Sequence, residues 1–255
     1  MMDKNIYADL APFYDALNGD IDREKWAEYI INQCIKYGRT EIKELLDLGC
    51  GTGTMTLLFA AHGYDMVGLD SSPDMLSEAQ RKAFETDNTD ILWTCQSMTD
   101  FELYGTVDAT ISCLDCLNHL ENTEELRRCF ALVHNYLVPN GLFIFDMNTP
   151  YKFKEIYGDN AYILEDKNVL CAWQNEYDET TQKCTFFISL FEKTKGNQYA
   201  RFDSEQVESC FSLSELKEIW ESEGFVLEAL HGDIDETPIS DTTERWHFVL
   251  RAIKR

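Results

Sequence analysis

Leu45-Leu46-Asp47-Leu48-Gly49-Cys50-Gly51-Thr52-Gly53 decides the fold. An apolar run ends in three glycines separated by single residues, and Thr54-Met55-Thr56-Leu57-Leu58-Phe59-Ala60-Ala61 follows without Pro or Gly. This pattern predicts a buried parallel strand, a tight turn and a helix. Glycine permits the sharp turn and lets a ligand approach the backbone closely, while the first N–H groups of the helix point at that ligand.

A second apolar stretch, Tyr64-Asp65-Met66-Val67-Gly68-Leu69-Asp70, ends in an acid 19 residues beyond Gly51. In a doubly wound sheet such a carboxylate hangs over the carboxyl end of the neighbouring strand, within reach of both ribose hydroxyls. The spacing then separates two adenosine ligands. A dinucleotide turn reads G-x-G-x-x-G, but here it reads G-x-G-x-G, with Thr54 where the third glycine would fall. Asp47, two residues before Gly49, would repel a pyrophosphate and suits an ammonium group. Ribose, carboxylate and ammonium without phosphate describe S-adenosylmethionine, and an NAD(P) dehydrogenase is disfavoured.

On Asp47, the glycine turn and Asp70, the sequence resembles the class I S-adenosylmethionine-dependent methyltransferases. The resemblance implies a Rossmann-like α/β fold, a doubly wound seven-stranded sheet whose last strand is antiparallel. It implies cofactor contacts from Asp47, Gly49, Cys50, Gly51, Gly53, Asp70 and Ser71, with Met75 and Leu114 beside them. The family's adenine acid falls at Ser97, next to Met98; a hydroxyl accepts a hydrogen bond more weakly than a carboxylate. The segment before the first strand often forms a lid in this family, and its Tyr-Asp pair matches Tyr14-Asp15. Tyr14 and Trp26 are thus candidates to close over the cofactor. Trp26, Tyr29, Ile30 and Cys34 recur at helical spacing, however, so these aromatics equally suit a core. Met75 has the same alternative, as a core gap-filler.

The fourth strand, from Val107, leads into Cys113-Leu114-Asp115-Cys116-Leu117-Asn118-His119. Its carboxyl end faces the reactive centre. Asp115 and His119 are therefore the candidate catalytic residues and Asn118 a candidate for the acceptor, with a structural role for His119 as the alternative. Cys113 and Cys116 form C-x-x-C, but the motif overlaps a buried strand and has no second pair, so neither redox nor zinc chemistry is expected there. A helix carrying Leu126, Phe130, Val133 and Leu137 is expected to stop at Pro139-Asn140-Gly141, and the expected fifth strand is Leu142-Phe143-Ile144-Phe145-Asp146.

Between residues 160 and 209 the pattern changes to four strand-like runs, 161–165, 169–177, 184–192 and 198–209, with turns too short for crossover helices. An antiparallel β-meander is expected, so that residues 1–150 and 210–255 form the methyltransferase domain and 151–209 an inserted subdomain over the active site. Trp173, Tyr177 and Arg201 are its candidates for binding the acceptor by stacking and charge. The alternative is a dimer interface with these aromatics in it.

The net charge, 22 basic against 46 acidic residues, is −24. That argues against a nucleic-acid substrate. Nine scattered cysteines, no apolar signal core near Met1 and no membrane-length run suggest a cytoplasmic protein, monomer or homodimer. The expected activity is methyl transfer to nitrogen or oxygen of a small molecule. The alternative is a sensor or scaffold that binds S-adenosylmethionine without turnover.

Overall fold

The computed structural model describes Ala11, Asp15 and residues 21–254 except 167 and 197. Its first sheet is laid down by alternating strands and helices: β1 (Glu44–Leu48), α2 (Thr54–Ala61), β2 (Asp65–Asp70), α3 (Pro73–Glu85), β3 (Leu92–Cys95), β4 (Val107–Ser112), α4 (Thr123–Tyr136) and β5 (Leu137–Asn148). Helix α1 (Arg23–Tyr37) precedes them, and α5 (Leu213–Ser222), β10 (Phe225–His231) and β11 (Arg245–Ala252) complete the layer. The strand order is β10-β11-β5-β4-β1-β2-β3. β1, β2, β3, β4 and β5 pair in parallel, whereas β11 runs antiparallel to both β5 and β10. The order reverses between β1 and β4, and the carboxyl ends of those strands form the crevice where open α/β sheets take ligands.

Apolar residues fill both sides of this sheet, as strands covered on two faces require. One cluster joins Leu46, Leu48, Phe130, Phe143 and Phe145 to Leu216, Trp220 and Phe248 under α4 and α5. The other joins Leu45, Phe59, Ile111 and Ile144 to Ala27, Ile30 and Cys34 of α1. The helix starts follow from side chains that satisfy the first N–H groups. Ser72 Oγ accepts from Met75 N at 3.3 Å, with Pro73 as the first helical residue. Ser212 and Glu215 form a reciprocal capping box at the start of α5. At α4 the box is only half formed: Asn122 Oδ1 accepts from Glu125 N, but the Glu125 carboxylate reaches back to Glu121 N instead.

Pro139-Asn140-Gly141 does not separate α4 from β5. The strand begins at Leu137, and a bulge with Asn140 at φ 68° absorbs the residues between the pairs Val107–Leu137 and Ala109–Leu142.

After β5 comes one π-helical turn, Lys152–Tyr157, and then a separate four-stranded antiparallel sheet: β6 (Ala161–Asp166), β7 (Val169–Asp178), β8 (Lys183–Lys193) and β9 (Tyr199–Ser209), in that order. Alternation puts Trp173, Tyr177, Cys184, Phe186 and Glu208 on one face, packed around the fully buried Phe153, and Arg201, Phe187 and Val207 on the other. No helix among the described residues is long and apolar enough to cross a membrane.

Candidate active site

The glycine turn is fixed by the strand beside it. Gly49 and Cys50 both donate their N–H to Leu69 O, at 2.8 and 2.9 Å, and Gly51 N donates to Asp70 Oδ2 at 2.8 Å. The other Asp70 oxygen accepts from Ser72 N at 2.8 Å, so two backbone groups hold this carboxylate over the turn. Burial raises its pKa, against the pull of those two bonds. The glycines serve different ends. Gly51, at φ 53°, has no atom of the described residues within 4 Å of where a Cβ would lie. Gly53, at φ 72°, lies under Trp93 and Ala79, whose atoms would stand 2.6 and 2.8 Å from a Cβ. The third glycine is a packing requirement of β3 and α3.

Asp47 lies buried below the turn and accepts from Thr56 Oγ1 at 2.6 Å. Burial pushes its pKa up to about 7, and the charge of Asp70 adds to the rise. Asp15 caps the turn from the other side. It accepts from Thr52 and Thr54 hydroxyls, both at 2.9 Å, and from Lys82 Nζ at 2.6 Å. With Asp47, Leu114 and Cys116 it lines the cavity beside the glycines. Tyr14 lies outside the described residues. A larger cleft of ≈ 1000 Å³ sits at the other end of the strands, around Asp65, Asp90 and Leu92, away from the carboxyl ends where this fold places ligands.

The loop after β4 carries the second half of the site. Leu114 and Asp115 both adopt left-handed backbone, φ 63° and 56°, a conformation costly for such side chains. Asp146, at the end of β5, compensates by accepting Leu114 N at 2.7 Å and Asp115 N at 2.9 Å. Arg245 then bridges two acids, donating to Asp146 and pairing with Asp115 at 2.8 Å. Burial pushes Asp115 up, but Arg245, with Lys152 and His119, outweighs it and holds this carboxyl below its usual range. Burial leaves Asp146 above its usual range despite Arg245. His119 is pulled down by burial, so the imidazole is neutral at pH 7.

Asp115, His119 and Glu208 bring ligand-type atoms within 4.8 Å of one another. Glu208 comes from the far end of the second sheet. It is 5% exposed, and its Oε2 accepts from Asn148 Nδ2 at 3.0 Å. Asn118 does not face this cluster as a free amide. It is fully buried, its Nδ2 donates to Ser209 O at 2.9 Å and its Oδ1 accepts from Asn148 N at 2.9 Å. It clamps β9 to β5, with the oxygen and the nitrogen of its amide both engaged.

The other expected residues are distributed as follows. Trp26 sets its ring over Arg245, 5.5 Å from guanidinium carbon to centroid, and against His247, 5.4 Å between centroids. It therefore borders the Asp115 side of the site. Met98 reaches within 3.4 Å of the position a Gly49 Cβ would occupy. Ser97 Oγ is engaged locally, accepting from Thr99 N at 3.2 Å, and Met75 is buried in the first turn of α3. Ser71 follows Asp70 in the chain, and its carbonyl accepts from Cys95 Sγ. Cys116 Sγ donates to Gly49 O and Cys113 O, so the C-x-x-C thiol supports the glycine turn.

Within the second sheet, Trp173 is packed against Tyr162, and Tyr177 stacks on Phe153 and donates to Gln182. Arg201 lies on the face opposite Glu208, exposed, bonded to Asp203 and over Phe191. The strand period excludes it from the cluster.

Five site residues escaped the sequence reading: Asp146, Asn148, Lys152, Glu208 and Arg245. Asp146 and Asn148 carried a signal as polar ends of an apolar strand. Arg245 was hidden by direction: β11 is antiparallel, so its first residue pairs with Asn148 at the carboxyl end of β5.

Residues 45–141 match the family profile described as a methyltransferase domain. The chain is 30% identical to YqeM of Bacillus subtilis (strain 168), a protein named as a methyltransferase, over 244 residues, 95% of this chain and 96% of that one. Its fold matches the crystal structure of an S-adenosylmethionine-dependent methyltransferase from Clostridium acetobutylicum ATCC 824 with a TM-score of 0.87 and 27% identity, over 97% and 99% of the two chains. Over 119 residues, 47% of each chain, it is 32% identical to the dTDP-3-amino-3,4,6-trideoxy-alpha-D-glucopyranose N,N-dimethyltransferase of Streptomyces venezuelae. Agreement over nearly the full length of both chains extends the match well beyond the glycine turn, and the chain belongs to the class I S-adenosylmethionine-dependent methyltransferases.

Proposed function

We propose that this enzyme moves the methyl group of S-adenosylmethionine to a nitrogen or oxygen of a small cytoplasmic metabolite. The observation that carries the reading is the cluster that Asp115 and His119, on the loop that also borders the cofactor cavity, form with the buried Glu208 of β9. The cofactor residues fit the ligand. No atom of the described residues stands within 4 Å of a Gly51 Cβ, Asp70 is held ready by two N–H groups, and Asp47 offers a buried carboxylate. On this reading Asp70 holds the ribose hydroxyls, Asp47 the ammonium, and the glycine backbone the carboxylate, with Ser97 and Met98 toward the adenine. S-adenosylmethionine supplies a methyl group already activated by positive sulfur.

The protein's remaining tasks are alignment of the acceptor and exclusion of water. Residues 151–209 act as a subdomain that walls the acceptor pocket, and Glu208 is the group it delivers. Neutral His119, ionised Asp115 and Glu208 are the groups available to receive an acceptor proton. The dimethyltransferase relative acts on an amino sugar by its name, which fits a small polar acceptor here. The test is incubation with labelled S-adenosylmethionine and a metabolite extract, followed by mass spectrometry. Label in a small product supports the reading. Tight cofactor binding with no labelled product would favour a sensor.

A further inference from the structure

We infer that Glu208 receives the methyl acceptor, and that this acceptor is a small amine arriving as an ammonium ion. The inference rests on the reading above and adds the acceptor class and a residue for it.

Asp115 and Asp146 share Arg245. Glu208 has a neutral amide partner in Asn148 and, among the described residues, no lysine or arginine within ion-pair distance. Its second oxygen has no hydrogen bond among those residues. A carboxylate 5% exposed and with no cation in direct contact is costly. Burial, and the charge of Asp115, raise its pKa well above the usual value, outweighing the Asn148 bond and the more distant charges of Arg245 and Lys152. The position therefore favours a ligand that brings one positive charge and hydrogen-bond donors.

Two cations could answer. A divalent metal would meet Asp115, His119 and Glu208, but Arg245 already occupies Asp115, and Lys152 adds a second positive charge, its Nζ on Asn148 Oδ1 at 3.1 Å. A doubly charged ion would be repelled by both. An ammonium carries one charge and several N–H donors, which suits one free carboxylate oxygen. A hydroxyl acceptor brings no charge to hold Glu208 ionised against its burial.

The placement also serves the chemistry. An ammonium nitrogen has no lone pair for attack. When Glu208 takes a proton, the N–H bond breaks and an O–H bond forms on the carboxyl. The electron pair stays on nitrogen, free to bond to carbon, and the total charge of the pair is unchanged. Strand period explains why this residue is the one presented: Phe202, Ser204, Gln206 and Glu208 share the inward face of β9, and Glu208 is the charged member.

The test is calorimetric binding, without turnover, in the presence of S-adenosylhomocysteine. The probes are matched pairs: ethanolamine with ethylene glycol, and 3-amino-3-deoxyglucose with glucose. At least one amine should bind, at least about tenfold more tightly than its hydroxyl partner. Glu208→Gln should weaken that amine by about tenfold or more, Glu208→Asp should keep part of the affinity, and S-adenosylhomocysteine should bind all three proteins alike. Binding of no amine, equal binding of the hydroxyl partner, or an unchanged amine constant in Glu208→Gln would overturn the inference. Failure of the wild-type protein to bind S-adenosylhomocysteine would sink the cofactor reading beneath it.

Discussion

The Asp146 carboxylate accepts the backbone N–H of Asp115 at 2.9 Å while Arg245 bridges the two side chains. One buried acid thus holds a left-handed backbone in place and fixes the cation that keeps its neighbour ionised. The strain at Leu114 and Asp115 is local, but its support comes from β5 and β11, so the loop's shape depends on the sheet being complete.

Asp146→Asn keeps one acceptor oxygen and removes the charge that faces Arg245. Breaking a buried pair by removing one partner costs about 3–5 kcal/mol, and the low end is expected because Asp115 still pairs with Arg245. Denaturant unfolding should show that loss together with a fall in turnover. Wild-type stability in this variant would show that the loop does not need its support.

Asp47 links cofactor binding to pH. Its folded pKa of about 7 lies above its ordinary value of 3.8. The stability this group contributes is therefore present at low pH and lost as pH rises from about 4 to about 7. Binding runs the other way, because a ligand ammonium pairs with the ionised form. Affinity for S-adenosylmethionine should rise by up to about tenfold per pH unit below 7 and level off above it. Asp47→Asn should lower the affinity and flatten the profile. Calorimetry from pH 5.5 to 8 decides it, and a flat wild-type profile would remove Asp47 from the ammonium.

Two glycines of one turn should fail in different ways. Gly53→Ala drives a methyl into Trp93 and Ala79, an overpacking expected to cost about 1–3 kcal/mol in addition to backbone strain. Gly51→Ala meets no atom of the described residues, so its stability cost should stay near the backbone strain of about 1–2 kcal/mol. Its methyl enters the space the ligand needs, and cofactor affinity should drop at least about tenfold. Thermal unfolding and calorimetry on both variants separate the effects. A Gly51→Ala protein that binds normally would place the ligand elsewhere.

What the sequence disclosed follows the range of the interactions. The turn at Gly49, the acid at Asp70 and the caps at Ser72 and Ser212 depend on residues near in the chain, and each is readable from spacing. The four strands of the second sheet were legible for the same reason, through period two and turn residues. Composition alone cannot tell which parity of β9 faces inward, so it does not separate Arg201 from Glu208. Asn118 was given a ligand's role because its partners, Asn148 and Ser209, lie 30 and 91 residues away. Arg245 joins the site through the pairing of β11 with β5, and Glu208 through its bond to Asn148, 60 residues back in the chain.

Asn118 therefore makes the sharpest contrast between the two readings of the loop. As a clamp, its loss leaves Ser209 O and Asn148 N buried without partners, at about 1–3 kcal/mol each. Asn118→Ala should lower stability by about that much and loosen the end of β9, seen as faster amide exchange across residues 199–209. Cofactor affinity should stay within a fewfold, since no Asn118 bond reaches the glycine turn. Turnover should fall because Glu208 is no longer held beside Asp115. As an acceptor ligand, Asn118 would behave differently: the variant would raise the acceptor's KM with exchange in β9 unchanged. That second pattern would return Asn118 to the substrate and leave the attachment of β9 to Ser209, whose hydroxyl also donates to Glu121 O at 3.2 Å.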